Sequence, residues 1–121
     1  MKKNKCLLAY GLTEEERMAL RAFGRVIEVT PEMASLRIGL IPTHDGKDLE
    51  VTKDMPNEKV VLFHDYADSE VKGVTSKVRE IADGVILAVV TPMSRMWTLH
   101  YLVNHLMEER ELYKQMQQKG M

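Results

Sequence analysis

Cys6 is the only cysteine in the chain, so no intramolecular disulfide and no Cys-based zinc site can be assembled within one copy. A reducing cytoplasm is the expected compartment. Charge of one sign is also missing. Seventeen basic against eighteen acidic side chains leave a formal charge of -1, which argues against the cationic footprint of a protein that mainly holds nucleic acid or an anionic membrane. No apolar run approaches the ~18 residues of a membrane span. The start, Met1 to Tyr10, imitates the basic and apolar regions of a signal peptide. Its apolar run ends at Leu12 and meets Thr13-Glu14-Glu15-Glu16-Arg17 without a small-residue cleavage site, so it reads as a solvated tail entering a buried strand. No G-x-G-x-x-G or Walker pattern is present, which removes the usual phosphate-cradling loops.

What is there suits one soluble domain over residues 1–121, with 45% hydrophobic and 29% charged residues. Lys5 to Tyr10 is a short apolar run, as expected of a strand buried on both faces. Thr13 with Glu16 forms a capping box, and Met18, Leu20, Ala22 and Phe23 carry an apolar side to a stop at Gly24. Arg25 to Thr30 is β-rich. Thr30 and Pro31 open a short helix through Met33 and Leu36 that Gly39 closes. Residues 42–58 hold two breaker clusters and read as irregular. Lys59 to His64 is a second apolar strand, followed by a helix from Ser69 to Asp83 with Val71, Val74, Val78, Ile81 and Ala82 on one face. Val85 to Val90 is the most apolar strand, and a long helix from Trp97 to Gln118 buries Leu99, Leu102, Val103 and Leu106 in its first half.

The two halves share a plan, with Val29-Thr30-Pro31 echoed by Val90-Thr91-Pro92. This is a weak internal repeat of roughly sixty residues, a length at which any two β-α-β units look alike. The expected fold is α/β: a mainly parallel four-stranded sheet with helices on both faces, two β-α-β-like halves, and 2-1-3-4 as the candidate strand order.

The run Val85-Ile86-Leu87-Ala88-Val89-Val90-Thr91-Pro92, then Trp97-Thr98-Leu99, Leu102, Leu106 and Glu108-Glu109, resembles the bacterial family DUF3783, a domain of unknown function. The resemblance covers about residues 58–113. It departs from the family pattern at Ser94, where an Asn is usual, and at Leu87, where a Lys is common. It implies a domain and no reaction, since the family has no established activity.

In an open parallel sheet ligands sit beyond the carboxyl ends of the strands, which points to the loops Tyr10 to Thr13 and His64 to Asp68. Glu14, Glu15 and Glu16 occupy one helix start, and Asp68 and Glu70 the other, so bound nucleotides would meet repulsion there. His64 and Asp65, with Thr91 nearby, are the candidate residues of a small-ligand or metal-binding enzyme. His44-Asp45 is a second His-Asp pair, read as solvated. His100 and His105 lie some 140° apart around a helix and do not chelate one ion. No catalytic residue, resident metal or cofactor is expected.

The favoured expectation is a non-catalytic association or regulatory module, with a protein partner or a second copy, a homodimer being one candidate, and with neither nucleic acid nor membrane. Its contact surface is Met93, Arg95, Met96, Trp97, Leu112, Tyr113 and Met116, because Met, Trp and Arg suit interfaces. Trp97 also reads as the anchor of the last helix onto the sheet.

Overall fold

Apolar residues on both sides of a strand require cover on both sides of the sheet, and the two such runs here lie side by side at its centre. In the computed structural model, which describes residues 5–47, 49 and 53–119, these are β1 (Cys6–Tyr10) and β3 (Val60–His64), buried at every position. The shorter β2 (Val26–Val29) and β4 (Ile86–Val89) form the edges, in the order β2-β1-β3-β4. That is the candidate order. Strand direction differs from the expectation: β1 pairs with β2 and β3 with β4 in parallel, but β1 and β3 are antiparallel. The sheet is mixed rather than mainly parallel. Residues buried on both faces satisfy either direction equally, so the periodicity of β1 and β3 carries no directional information.

Helices α1 (Glu14–Leu20) and α2 (Asp68–Ile81) cover one face, where Leu20, Val78 and Ala82 pack on Leu7, Ala9, Val61 and Phe63. The helix α3 (Leu99–Lys119) covers the other, where Leu99, Leu102 and Val103 meet Cys6, Leu8, Tyr10 and Leu62. The expected single helix after Thr30 is replaced by two 3-10 segments, Pro31–Met33 and Ile38–Thr43. Among described residues, 44–58 contain neither helix nor strand.

The antiparallel centre relates the two halves by a pseudo-two-fold axis. Cys6 faces His64 and Tyr10 faces Val60 around the central pair Leu8 and Leu62. Cys6 therefore corresponds to Val60. Position by position, Gly11 matches Asp65, and both have positive φ, 77° and 60°. Thr13 matches Ala67, the two helix caps, and Glu16 matches Glu70, whose carboxylates accept the cap N–H at 2.8 and 2.9 Å. Ion pairs cross the axis reciprocally, Lys59 to Glu16 at 2.7 Å and Lys5 to Glu70. By the end of β2 and β4 the correspondence is Val29 with Val90. The offset has grown from 54 to 61 because α2 with its end is seven residues longer, two turns that leave the buried face in phase.

The relation continues across the second sheet face. Ile38 donates its N–H to the Trp97 carbonyl and Leu99 donates to that of Leu36, both at 2.9 Å, around an isolated antiparallel bridge between Arg37 and Thr98. Ile38, Ile41 and Pro42 are buried, as are their counterparts Leu99, Leu102 and Val103. The halves diverge at Pro42. It has no N–H to extend an α-helix and its ring opposes the preceding turn, whereas at Val103 α3 continues, reaching 21 residues in all at Lys119.

Candidate functional site

The mixed sheet separates the two loops that the sequence placed in one crevice. Because β1 and β3 run in opposite directions, Tyr10–Thr13 emerges at one end of the sheet and His64–Asp68 at the other. The single strand-end crevice is corrected accordingly: the loops do not converge.

At the His64 end, the imidazole is 1% exposed, with Nδ1 3.5 Å from Asp65 Oδ2. Asp65 holds φ 60°, a left-handed backbone that Asp tolerates better than most residues. Its other oxygen accepts from Arg95 Nη2 at 2.6 Å. Asp65, Tyr66, Val90, Pro92 and Arg95 line an open hollow of about 430 Å³. The structure thus brings His64 and Asp65 together and adds Arg95. Thr91 lies on the adjoining turn with its hydroxyl committed to Ser94: Thr91 Oγ1 accepts from the Ser94 N–H at 3.0 Å and lies 3.1 Å from Ser94 Oγ. Cys6, opposite His64 in register, is fully buried. Burial, partly offset by Arg25, pushes its thiol up to about 11, so it stays protonated and unreactive near neutral pH. His44 lies elsewhere, its Nδ1 accepting from the Gly46 N–H at 2.9 Å. Among the described residues no group of three His, Cys, Asp or Glu side chains converges as a metal site.

The apolar surface residues fall into two groups. Met93 is 70% and Met96 59% exposed on the 3-10 turn before α3. Leu40, 56% exposed, shares a hollow with Met96: Arg37, Gly39, Leu40, Arg95 and Met96 line about 280 Å³. Gly39 is required there, since a Cβ would run into the Arg95 side chain. Leu112, Tyr113 and Met116 form the second group, exposed by 59–63%, some 20–25 Å along α3 from its start at ~1.5 Å per residue. From Glu111 to Gln117 every residue is exposed; this end of α3 projects beyond the body.

Trp97 belongs to neither group. It is half-buried, packs on the core beneath α3, and meets Tyr101 and His105 edge to face at 4.9 and 5.3 Å. It anchors the helix. Sequence reasoning missed Leu40 and Arg37, because a helix closed by Gly39 gave no reason to set Arg37 and Leu40 beside Met96. It also missed Tyr101, 53% exposed and stacked on His105. Its i, i+4 spacing to His105 was the available signal.

This geometry defines an α/β domain of two equivalent half-units joined back to back, with different surfaces on each. Residues 59–113, the second half-unit, match the family model described as a domain of unknown function (DUF3783). The match begins at β3 and ends within α3, so the resemblance over residues 58–113 is confirmed. No curated protein and no solved structure matches the chain significantly. Among the described residues no helix is long and apolar enough to cross a membrane.

Proposed function

We propose that the protein is a non-catalytic association module of the cytoplasm whose partner is another protein chain. The observation that carries this reading is the concentration of large apolar side chains in solvent: Leu40 and Met96 around Arg37 and Arg95, Met93 at the start of the same turn, and Leu112, Tyr113 and Met116 on the projecting end of α3. Scattered single apolar residues are ordinary, but clusters rimmed by Arg are characteristic of interfaces. The near-neutral charge and the buried lone thiol fit a protein partner in a reducing compartment. In-cell photo-crosslinking tests it. A photoreactive residue at Met96 or Leu112 is expected to give discrete protein adducts, and one at the exposed Lys77 of α2 none. Equal or absent adducts at all three positions would remove the reading.

A second reading, a small-ligand or metal-binding enzyme using His64, Asp65 and Thr91, is favoured by one comparison within the molecule. Where the first half has Gly11 at the left-handed position, the second has Asp65, held by Arg95. A side chain kept where glycine suffices is a recognised mark of a functional position. Here a thermal-shift survey of divalent cations and small anions decides. A rise in melting temperature lost in Asp65→Asn supports it, and none in the native chain counts against it.

A further inference from the structure

We infer that the partner is a second copy of this chain, each copy laying the projecting end of its α3 over the start of the other's α3 in a two-fold antiparallel pair. This rests on the association reading above and names its partner. Three observations converge on it. First, Glu111–Gln117 are exposed on every side, so no face of that segment is committed to its own body. Leu112 and Met116, an i, i+4 pair, give it an apolar stripe. Second, the hollow of about 280 Å³ at the start of α3 has Leu40 and Met96 as apolar walls.

Third, the charges are complementary. The hollow is bounded by Arg37 and Arg95; Arg95 is paired with Asp65 at 2.6 Å, whereas Arg37 makes no ion pair among the described residues and supplies the hollow's uncompensated positive charge. The polar half of α3 carries Glu108, Glu109 and Glu111; Glu109 lies 2.7 Å from His105, and Glu111, at the start of the projecting segment, is held only by distant contacts of 3.9 Å to Arg110 and Lys114. A parallel pair would set these acids against their own copies. An antiparallel pair sets them against the basic hollow, and a helix of 21 residues, ~31 Å long, spaces the two ends so that both contacts form at once. The arrangement closes on itself, as an isologous dimer must.

Sedimentation equilibrium of the full chain tests this, with circular dichroism as the control for folding. All the residues changed are exposed, so helicity, and melting measured at concentrations where every chain is monomeric, are expected to stay constant. The native chain is expected at twice 13.9 kDa in the micromolar range. Arg37→Glu, Glu111→Lys and Leu112→Asp should each weaken the dimer about tenfold or more. Mixing the Arg37→Glu chain with the Glu111→Lys chain should restore it, because each contact is then complementary again. A chain that remains at 13.9 kDa into the millimolar range overturns the inference, as does a dimer indifferent to all three changes or one that mixing fails to rescue. Crosslinks to a different protein from Met96 and Leu112, with a monomeric chain, would overturn self-pairing while leaving the association reading intact. Absence of any crosslink would remove both.

Discussion

Two residues at equivalent positions show how the same backbone need is met for different ends. Gly11 and Asp65 both take the left-handed conformation after their strands. At Gly11 a Cβ would also run into the Glu58 carbonyl oxygen, so the position excludes every side chain twice over. Gly11→Ala is expected to cost at least about 2 kcal/mol, the left-handed penalty plus the displacement of backbone. Asp65→Gly relieves the backbone and loses a partly exposed ion pair worth at most about 1 kcal/mol, so it should cost less than half as much. Chemical denaturation of both variants compares them directly, and equal losses would mean that Asp65 is structural. Cys6 gives a second expectation. With the thiol pushed up to about 11 by burial, the native chain should resist thiol reagents at pH 8 and react fully once unfolded. The folded value is the higher one, so burial of this thiol contributes stability that is intact below about pH 9 and is lost as pH rises through 11.

The helices were legible as elements, while their caps and ends depended on tertiary context. Thr13 and Glu16 form the capping box that their spacing announced. At the matching start of α2, Glu70 accepts the Ala67 N–H but Ala67 has no oxygen to return the bond. Ala67 has φ -74° and ψ 152°, almost those of Thr13. Ala67→Thr should therefore add the missing cap and stabilise the chain by about 0.5–1 kcal/mol, whereas Thr13→Ala should cost about 1 kcal/mol. Thermal melts read both, and a destabilised Ala67→Thr chain would contradict the equivalence of the two starts. The polar second half of α3 reads from its pattern as either a solvated end or a contact element, because pattern does not reveal what lies opposite. The structure ties it down at one point. Arg110 donates two hydrogen bonds to Glu58, at 2.6 and 3.2 Å, which hold the Glu58 carboxyl below its usual range. Glu58→Gln should cost about 1–2 kcal/mol at pH 7 and increase amide exchange near Arg110. The folded value is the lower one, so this contribution is present above about pH 4.3, the ordinary glutamate value, and is lost as pH falls through the depressed one. Mutant and native stabilities should therefore converge in acid.

At the scale of the whole molecule, strand order and helix placement followed from apolar runs and caps, but the direction of the central pair did not. A strand buried on both faces reads alike in either direction, and the right-handed rule constrains only parallel crossovers. The strand-end crevice failed with it, since antiparallel β1 and β3 send their loops to opposite ends. The exposure of Leu112 and Met116 was legible from the polar pattern around them, whereas that of Leu40 was not, because it lies in the 3-10 segment Ile38–Thr43, which reads from the sequence as the end of a helix and a loop. The pseudo-two-fold makes the seam between β1 and β3 common property of both halves, and Leu8 and Leu62 sit at its centre, each 1% exposed. Truncating either should open a cavity that neither half can refill alone, at a cost of about 3 kcal/mol. Leu8→Ala and Leu62→Ala should thus be nearly equal, should combine non-additively as contacting pairs do, and should lower amide protection in α1 and α2 together although each residue belongs to one half. If α2 kept its protection in Leu8→Ala, the halves would be separate cooperative units. A single shared loss would show that one seam, rather than two domains, decides whether the surfaces of α3 and of the Arg37 hollow are held in place.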